Sequence, residues 1–179
     1  MIFALAPRGA VIKCRMISED DLFKLAVKVG HHLSNTGRRL VTAESCTGGW
    51  TGKVLTDVAG CSQWYRGGVV VYSSELKARL LRVSEATLAS HGAVSEATVR
   101  EMALGALEQL GGDVSLAISG IAGPGGAQPG KPVGTVWIAW GWRHGQALHC
   151  NARLKLLRGD RDQVRRRSVS LALSGVLDL

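Results

Sequence analysis

Three short apolar segments, each followed by small or polar residues, constrain the fold of this chain most. They cover residues 40–43, 67–72 and 114–119. The second segment is a continuous run rich in β-branched residues, which is typical of a buried strand. Between the segments, apolar residues recur at the spacing of amphipathic helices. Strands that alternate with helices in this way predict a three-layer α/β/α sandwich with a mixed, mostly parallel sheet.

The boundaries of several helices can be predicted from capping residues. Ser18 followed by Asp21 predicts the start of a first helix, which Gly37 should end. Ser95 and Asp160 predict the starts of two later helices. Short helices are also expected over 49–56, after Ser73 or Ser74, and around 85–90.

The residue patterns near the C-terminus predict a hairpin, and those at the N-terminus predict a tail. Residues 134–142 and 146–156 are apolar segments joined at His144-Gly145, which favours a late antiparallel pair of strands. A chain of 179 residues is long enough for one domain. We expect that domain to cover residues 18–179. Residues 1–17 lack periodicity. We expect them to form a disordered tail, or to result from a start site assigned too early, ahead of Met16.

The amino-acid composition limits which classes of partner are expected for this chain. Lys and Arg outnumber Asp and Glu by 22 to 14, a bias that suits nucleic acid, an anionic membrane or a phosphorylated small molecule. Aromatic residues make up only 5% and no basic run is interleaved with them, so no nucleic-acid partner is expected. The four scattered cysteines predict neither a metal site nor disulfides. No segment resembles a membrane span or a leader, and we expect a cytoplasmic protein without a membrane partner.

The first apolar segment leads into the most reactive stretch of the sequence. It ends at Glu44, and Ser45, Cys46, Thr47 and a glycine pair follow before a helix. The first N–H groups of a helix have no internal partner and can stabilise negative charge, so a nucleophile here would lie beside oxyanion donors. Alternatively, these hydroxyl groups only cap the helix.

Further candidates follow the other two segments. Tyr72 ends the second segment and Lys77 follows five residues later, whereas Ser119 ends the third and Gly120 comes next. Because ligands bind outside the carboxyl ends of parallel strands, we expect these residues near Ser45. A Lys of lowered pKa or a Tyr can replace histidine as the base for a serine, which indicates acyl transfer, most simply amide hydrolysis. Taken singly, Lys77 could be an exposed helix lysine and Tyr72 a buried core tyrosine.

A Gly/Pro-rich segment, residues 120–132, follows the third strand. A loop of this kind is usually functional, although a surface loop with unusual backbone angles is an open alternative. It contains neither the phosphate-binding G-K-[ST] sequence nor the dinucleotide fingerprint. Arg161, at the start of the last helix, could reach into a site at this edge, whereas the run 165–167 is typical of a solvated helix face.

Six motifs in the right order resemble the CinA C-terminal domain family, from about residue 18 to the C-terminus. The motifs are E-S-C-T-G-G at Glu44, Y-S-S-E-L-K at Tyr72, G-A-V-S at Gly92, S-G-I-A-G-P-G-G at Ser119, K-P-V-G-T-V at Lys131 and G-D-R at Gly159. The resemblance implies a three-layer α/β/α fold. For stand-alone members, which include nicotinamide-nucleotide amidohydrolases, it implies conversion of nicotinamide mononucleotide to nicotinate mononucleotide and ammonia. It implies no metal and no cofactor, and it favours a homo-oligomer.

The resemblance also implies roles for individual residues. Ser45 is the expected nucleophile, and Tyr72 and Lys77 form its base system. Arg161 is a candidate contact for the substrate phosphate. The expected oxyanion and substrate residues are Glu44, Thr47, Gly48, Ser119 and Gly120.

Two positions depart from the family pattern. Ser74 stands where the family usually has Asn, and Ser119 where it often has Thr. Ser119 keeps a hydroxyl group, but Ser74 removes an amide beside Tyr72 and Lys77. The alternative function is therefore a non-catalytic nucleotide-binding or interaction module, associated with competence or DNA damage, on the same fold. A third hypothesis makes Cys46 the nucleophile.

Overall fold

The computed structural model describes residues 16–179, and in it helices and strands alternate as the sequence predicts. Residues 1–15, most of the predicted tail, lie outside the described residues. Among residues 16–179 no helix is both long and apolar enough to cross a membrane. In chain order the elements are α1 (Glu19–Thr36), β1 (Leu40–Glu44), α2 (Trp50–Thr56), a 3₁₀ turn (Cys61–Gln63), β2 (Tyr65–Val70), α3 (Ser74–Leu81), α4 (Glu85–His91), α5 (Glu96–Leu110), β3 (Val114–Gly120), β4 (Thr135–His144), β5 (Ala147–Leu156) and α6 (Arg161–Val176).

The five strands form one mixed sheet in the order β2-β1-β3-β4-β5. β1 pairs in parallel with both β2 and β3. β4 runs antiparallel to β3 and to β5, so the late hairpin is confirmed and four of the five strands point the same way. The carboxyl ends of β1, β2 and β3 therefore lie at one edge of the sheet.

Helices cover both faces of the sheet, which confirms the three-layer prediction. Side chains alternate between the faces along a strand, so Leu40 of β1 packs into one core, whereas Val41 and Ala43 pack into the other. The first core is completed by α1, α2 and α6, and the second by α3 and α5 with α4 beside α5. Ser45 directly continues the side of β1 that faces the second core.

The predicted caps determine where three of the helices begin. The Ser18 hydroxyl accepts from the Asp21 N–H at 3.0 Å, and the Asp21 carboxylate accepts from the Ser18 N–H at 2.9 Å. Ser95 and Asp160 cap α5 and α6 in the same manner. Gly37 ends α1 at a φ of 64°, which a residue without a Cβ adopts easily. These starts and stops rest on contacts within a few residues, so sequence alone predicts them.

The prediction for β2 was wrong in two respects. The strand ends at Val70 rather than at Tyr72, and it is an edge strand, with Val70 45% exposed. A continuous apolar run favours a buried strand, but it does not show how many neighbours the strand has. The chain still hydrogen-bonds to β1 beyond the strand, since the Val71 N–H donates to the Glu44 carbonyl at 2.8 Å. It then turns, and Ser73 caps α3.

Candidate active site

The three predicted strand ends meet around Ser45. The Ser45 N–H donates to the Ile118 carbonyl of β3 at 3.0 Å, and the Val71 N–H reaches Glu44, the preceding residue, from the other side. Glu44 lies opposite Ile118 in the register of β1 and β3. Ser45 therefore lies between the chain that follows β2 and the end of β3.

Lys77 contacts the Ser45 hydroxyl directly. Its amine lies 3.1 Å from Ser45 Oγ, and it donates to the carbonyls of Val71 at 2.8 Å and Tyr72 at 3.2 Å. The Lys77 side chain is fully buried and no carboxylate contacts its amine within residues 16–179. Burial lowers the pKa of Lys77 from 10.5 to about 8, because desolvation disfavours the charged amine. The alternative of an exposed helix lysine is therefore wrong.

Tyr72 takes part through its backbone. Its carbonyl accepts from the Lys77 amine, whereas the residue as a whole is 62% exposed. The alternative of a buried core tyrosine is therefore wrong. Ser74, the departure next to it, is exposed at the first position of α3, and the cap of that helix comes from Ser73. The start of α3 thus does not depend on Ser74.

Glu44 fixes the segment that follows Ser45. Its carboxylate is buried and accepts four hydrogen bonds: one from the Thr47 hydroxyl at 2.6 Å, and three from backbone N–H groups at 2.8 to 3.1 Å. Those N–H groups belong to Gly49, Thr51 and Gly52, at the start of α2. A carboxylate at this position uses the unpaired donors and the positive end of the helix dipole. In this structure the Gly49 N–H is thus bonded to Glu44.

The N–H of Thr47 belongs to a fully buried residue. No acceptor among residues 16–179 forms a hydrogen bond with it, whereas the Gly48 N–H donates to the Ser45 carbonyl at 3.0 Å. Gly48 is exposed and adopts a φ of 62°, which favours glycine in this tight turn. Of the N–H groups predicted as oxyanion donors over 47–49, that of Thr47 has no partner among residues 16–179, and it is buried.

Ser119 and Gly120 end β3 beside Ser45. The Ser119 side chain is buried, and its hydroxyl donates to the Ala93 carbonyl at 2.7 Å, which ties the G-A-V-S segment to the sheet. A Cβ on Gly120 would lie 2.8 Å from the Thr135 carbonyl oxygen, so a side chain there would collide with β4. Both residues are next to Ser45, and the contacts of Ser119 hold a neighbouring loop.

Arg161 anchors the Gly/Pro-rich loop. The guanidinium of this exposed residue donates to the Gly123 carbonyl at 2.7 Å. Lys131, near the other end of the loop, donates to the His91 carbonyl at 2.8 Å. The loop is therefore fastened to the start of α6 and to the end of α4, with one guanidinium at its border.

Sequence reasoning missed Arg165. Its guanidinium donates to the carbonyls of Cys46 at 3.1 Å and Thr47 at 2.7 Å, and it lies 5.1 Å from the ring of Trp50. The prediction of a solvated face for 165–167 was therefore wrong at this residue. One signal could have revealed it: Arg165 follows Arg161 by four positions, so both lie on one face of α6.

Cys46 is a poor nucleophile. Its side chain is only 6% exposed, and desolvation raises the pKa of its thiol to about 11. Because the thiolate is the reactive form, a buried thiol with a raised pKa is largely inert near neutral pH. Within residues 16–179 no cluster of three or more His, Cys, Asp or Glu side chains could hold a metal. Ser45 and Lys77 are thus the pair with a geometry suited to covalent chemistry.

Comparison with known proteins identifies the family of this chain. Residues 22–179 match the family model of the CinA C-terminal domain. The chain belongs to the CinA C-terminal domain family. The match covers every element described above apart from the first turn of α1, and it confirms the resemblance seen in the six motifs.

Stand-alone relatives span nearly the same length. The nicotinamide-nucleotide amidohydrolase PncC of Escherichia coli K12 is 48% identical over 157 residues, which cover 88% of this chain and 93% of that protein. The protein of the same name from Pseudomonas putida is 43% identical, covering 89% of this chain and 98% of its own length. A solved CinA superfamily structure from Klebsiella pneumoniae superposes with a TM-score of 0.83 at 41% identity, over 88% of this chain and 96% of that one. Both relatives carry the name of an enzyme, in agreement with the enzymatic prediction.

Proposed function

We propose that this protein hydrolyses the amide of nicotinamide mononucleotide, giving nicotinate mononucleotide and ammonia, with Ser45 as nucleophile. The observation that carries the proposal is the contact between the buried Lys77 amine and Ser45 Oγ at 3.1 Å. The names of the stand-alone relatives support the choice of substrate. The reaction requires an activated hydroxyl, a base and an oxyanion donor.

Lys77 is the base in this mechanism. With a pKa of about 8, roughly a tenth of the amine is neutral at pH 7. The neutral amine takes the proton of Ser45 as Oγ attacks the carboxamide carbon. The resulting ammonium then protonates the leaving nitrogen, so that the C–N bond breaks and ammonia departs. Water attacks the acyl-enzyme, Lys77 takes a proton again, and Ser45 regains its own as the product carboxylate leaves.

The other predicted residues have distinct roles in this proposal. Thr47 fixes the loop that borders the oxyanion site, through the bond from its hydroxyl to Glu44. Tyr72 belongs to the base system through the carbonyl that orients Lys77, and its exposed phenol can meet the substrate. Arg161, next to the Gly-rich loop, contacts the phosphate. Glu44, Ser119 and Gly120 support the backbone around Ser45, and Gly48 adopts the backbone angle that the tight turn after Ser45 requires.

Ammonia release from nicotinamide mononucleotide by the purified protein tests the proposal. Ser45→Ala should lower kcat by about 10⁴-fold or more, because the covalent step is lost. Cys46→Ser is the matched control, and it should keep most of the activity. A chelator should leave turnover unchanged, because Lys77 needs no metal to accept the proton.

Other outcomes would change the assignment. Full turnover by the Ser45→Ala protein would overturn the serine mechanism, and loss of activity only in Cys46→Ser would transfer the role to the thiol. Tight binding of the nucleotide without turnover by the unaltered protein would favour the binding module. Calorimetric titration with the same nucleotide measures that binding.

A further inference from the structure

Arg165 holds the peptide that follows the nucleophile. Its Nε donates to the Cys46 carbonyl at 3.1 Å, and a terminal nitrogen of the same guanidinium donates to the Thr47 carbonyl at 2.7 Å. The two donors of one rigid, planar group thus bind two successive carbonyls. These contacts join α6 to a loop more than a hundred residues earlier in the chain.

The orientation of one N–H group follows from the first of these bonds. The peptide between Cys46 and Thr47 is trans, so its carbonyl and its N–H point in opposite directions. Arg165 holds the carbonyl of that peptide, and the Thr47 N–H therefore points away from the guanidinium. No acceptor among the described residues uses this N–H. Thr47 itself is fully buried, so Arg165 holds this peptide in the interior of the loop.

The loop is fastened at several points. Glu44 binds the Thr47 hydroxyl and the Gly49 N–H, and the Ser45 carbonyl accepts from Gly48. None of these bonds contacts the carbonyl of Cys46. Only the Arg165 guanidinium, among residues 16–179, hydrogen-bonds to that carbonyl and so sets the tilt of its peptide plane.

Arg166 offers an internal comparison. It lies over the same Trp50 ring, at 4.8 Å against 5.1 Å for Arg165, and it is likewise half-buried. Its hydrogen bond, however, goes to Asp162 on its own helix at 3.3 Å. The two neighbours therefore share the contact with the ring, whereas Arg165 adds the two bonds to the loop.

We infer that Arg165 is a positioning residue, which holds the carbonyls of Cys46 and Thr47 and so fixes the Ser45 hydroxyl opposite the Lys77 amine. The inference rests on the proposed amide hydrolysis and adds a residue to it. A hydroxyl that is held beside its base before the substrate binds favours the chemical step and adds no contact to the substrate. Loss of Arg165 should therefore lower kcat and leave KM nearly unchanged.

The experiment compares Arg165→Ala with Arg166→Ala in steady-state ammonia release from nicotinamide mononucleotide. We expect kcat to fall by roughly 10- to 100-fold in Arg165→Ala, because the geometry of Ser45 and Lys77 is loosened rather than lost, with KM within about twofold. Arg166→Ala should keep kcat within about threefold. Added guanidinium chloride, at concentrations well below those that unfold the protein, should restore part of the activity of Arg165→Ala only. Sodium chloride at equal ionic strength is the control for this rescue.

Each outcome separates the inference from the proposed function. If the unaltered protein releases no ammonia, the proposed function fails and the inference with it. If it turns over, equal losses in the two variants would overturn the inference, because the shared ring contact would explain them. An Arg165→Ala effect that follows a lower folded fraction in circular dichroism, without rescue by guanidinium, would also overturn it.

Discussion

Two buried charged side chains lie on opposite sides of the end of β1, and their surroundings differ. Glu44 is 2% exposed and accepts four hydrogen bonds, three of them from N–H groups at the start of α2. Lys77 is fully buried on the other side, and among residues 16–179 its amine hydrogen-bonds to two neutral carbonyls and the Ser45 hydroxyl. The carboxylate is satisfied by its donors, whereas no opposite charge within the described part of the chain contacts the amine.

This difference separates a structural role from a chemical one. A buried charge with several partners stabilises the conformation around it, whereas one that is desolvated without a counter-charge shifts its pKa toward the neutral form. A neutral amine beside a hydroxyl is a base. The comparison predicts that changes at Lys77 act mainly on turnover and changes at Glu44 mainly on stability.

Lys77→Met should produce the largest effect. The variant removes the base but fills a similar volume, and we expect kcat to fall by about 10³-fold or more. Lys28→Met, at an exposed lysine of α1, is the matched control and should leave kcat unchanged. Ammonia release measures both. If Lys77→Met retained its turnover, Lys77 would have no chemical role and its contrast with Glu44 would fail.

The pH dependence sharpens the same prediction. In the unaltered protein kcat should rise with pH and level off above about 8, because the amine must be neutral to accept the proton. The pKa of Lys77 is lower in the folded state than its ordinary value of 10.5, so the unfolded chain binds more protons between these values. The stability that Lys77 contributes therefore increases from pH 8 to 10.5.

Below pH 8 burial of the charged lysine should lower the free energy of unfolding by about 3 kcal/mol relative to an uncharged residue. This value leaves out the three hydrogen bonds of the amine. Lys77→Met should accordingly be at least as stable as the unaltered protein at pH 7, with the difference moving in favour of lysine as pH rises. Urea unfolding at several pH values measures this. A difference that does not depend on pH would contradict the lowered pKa.

Glu44→Gln should mainly destabilise the fold. The amide keeps one acceptor oxygen, but it loses the charge and sets an NH₂ group against backbone donors, so we expect a loss of about 2 to 4 kcal/mol in the free energy of unfolding. Glu108→Gln, at an exposed position of α5, should change it by less than about 0.5 kcal/mol. Urea unfolding of the two variants is the measurement. Unchanged stability together with lost turnover would give Glu44 a chemical role instead.

Tyr72→Phe should have the smallest effect. The carbonyl that orients Lys77 is retained, and only an exposed phenol is removed, so kcat should fall by less than about fivefold. Tyr65→Phe is the control within the chain, because its hydroxyl lies 2.9 Å from that of Thr42 and its side chain packs into the first core, away from Lys77. It should cost about 1 kcal/mol of stability and leave kcat unchanged. A loss of 100-fold or more in Tyr72→Phe would place the phenol itself in the base system.

The sequence determined much of the framework and of the residues at the site. The helix starts at Ser18, Ser95 and Asp160 depend on hydrogen bonds to residues three positions away, so they can be predicted from the local sequence. Parallel strands place their ends at one edge, and this rule was enough to group Ser45 with Lys77 before any distance was known.

Tertiary structure decided what each of these residues contacts. The Lys77 amine reaches Ser45 across 32 positions, and its lowered pKa comes from burial that no local pattern reveals. The edge position of β2 depends on the number of its neighbours. Arg165 contacts Thr47 across 118 positions. A side chain that the sequence pattern assigns to a charged helix face therefore holds the loop after Ser45. Such contacts depend on how elements pack, and packing joins residues that sequence keeps far apart.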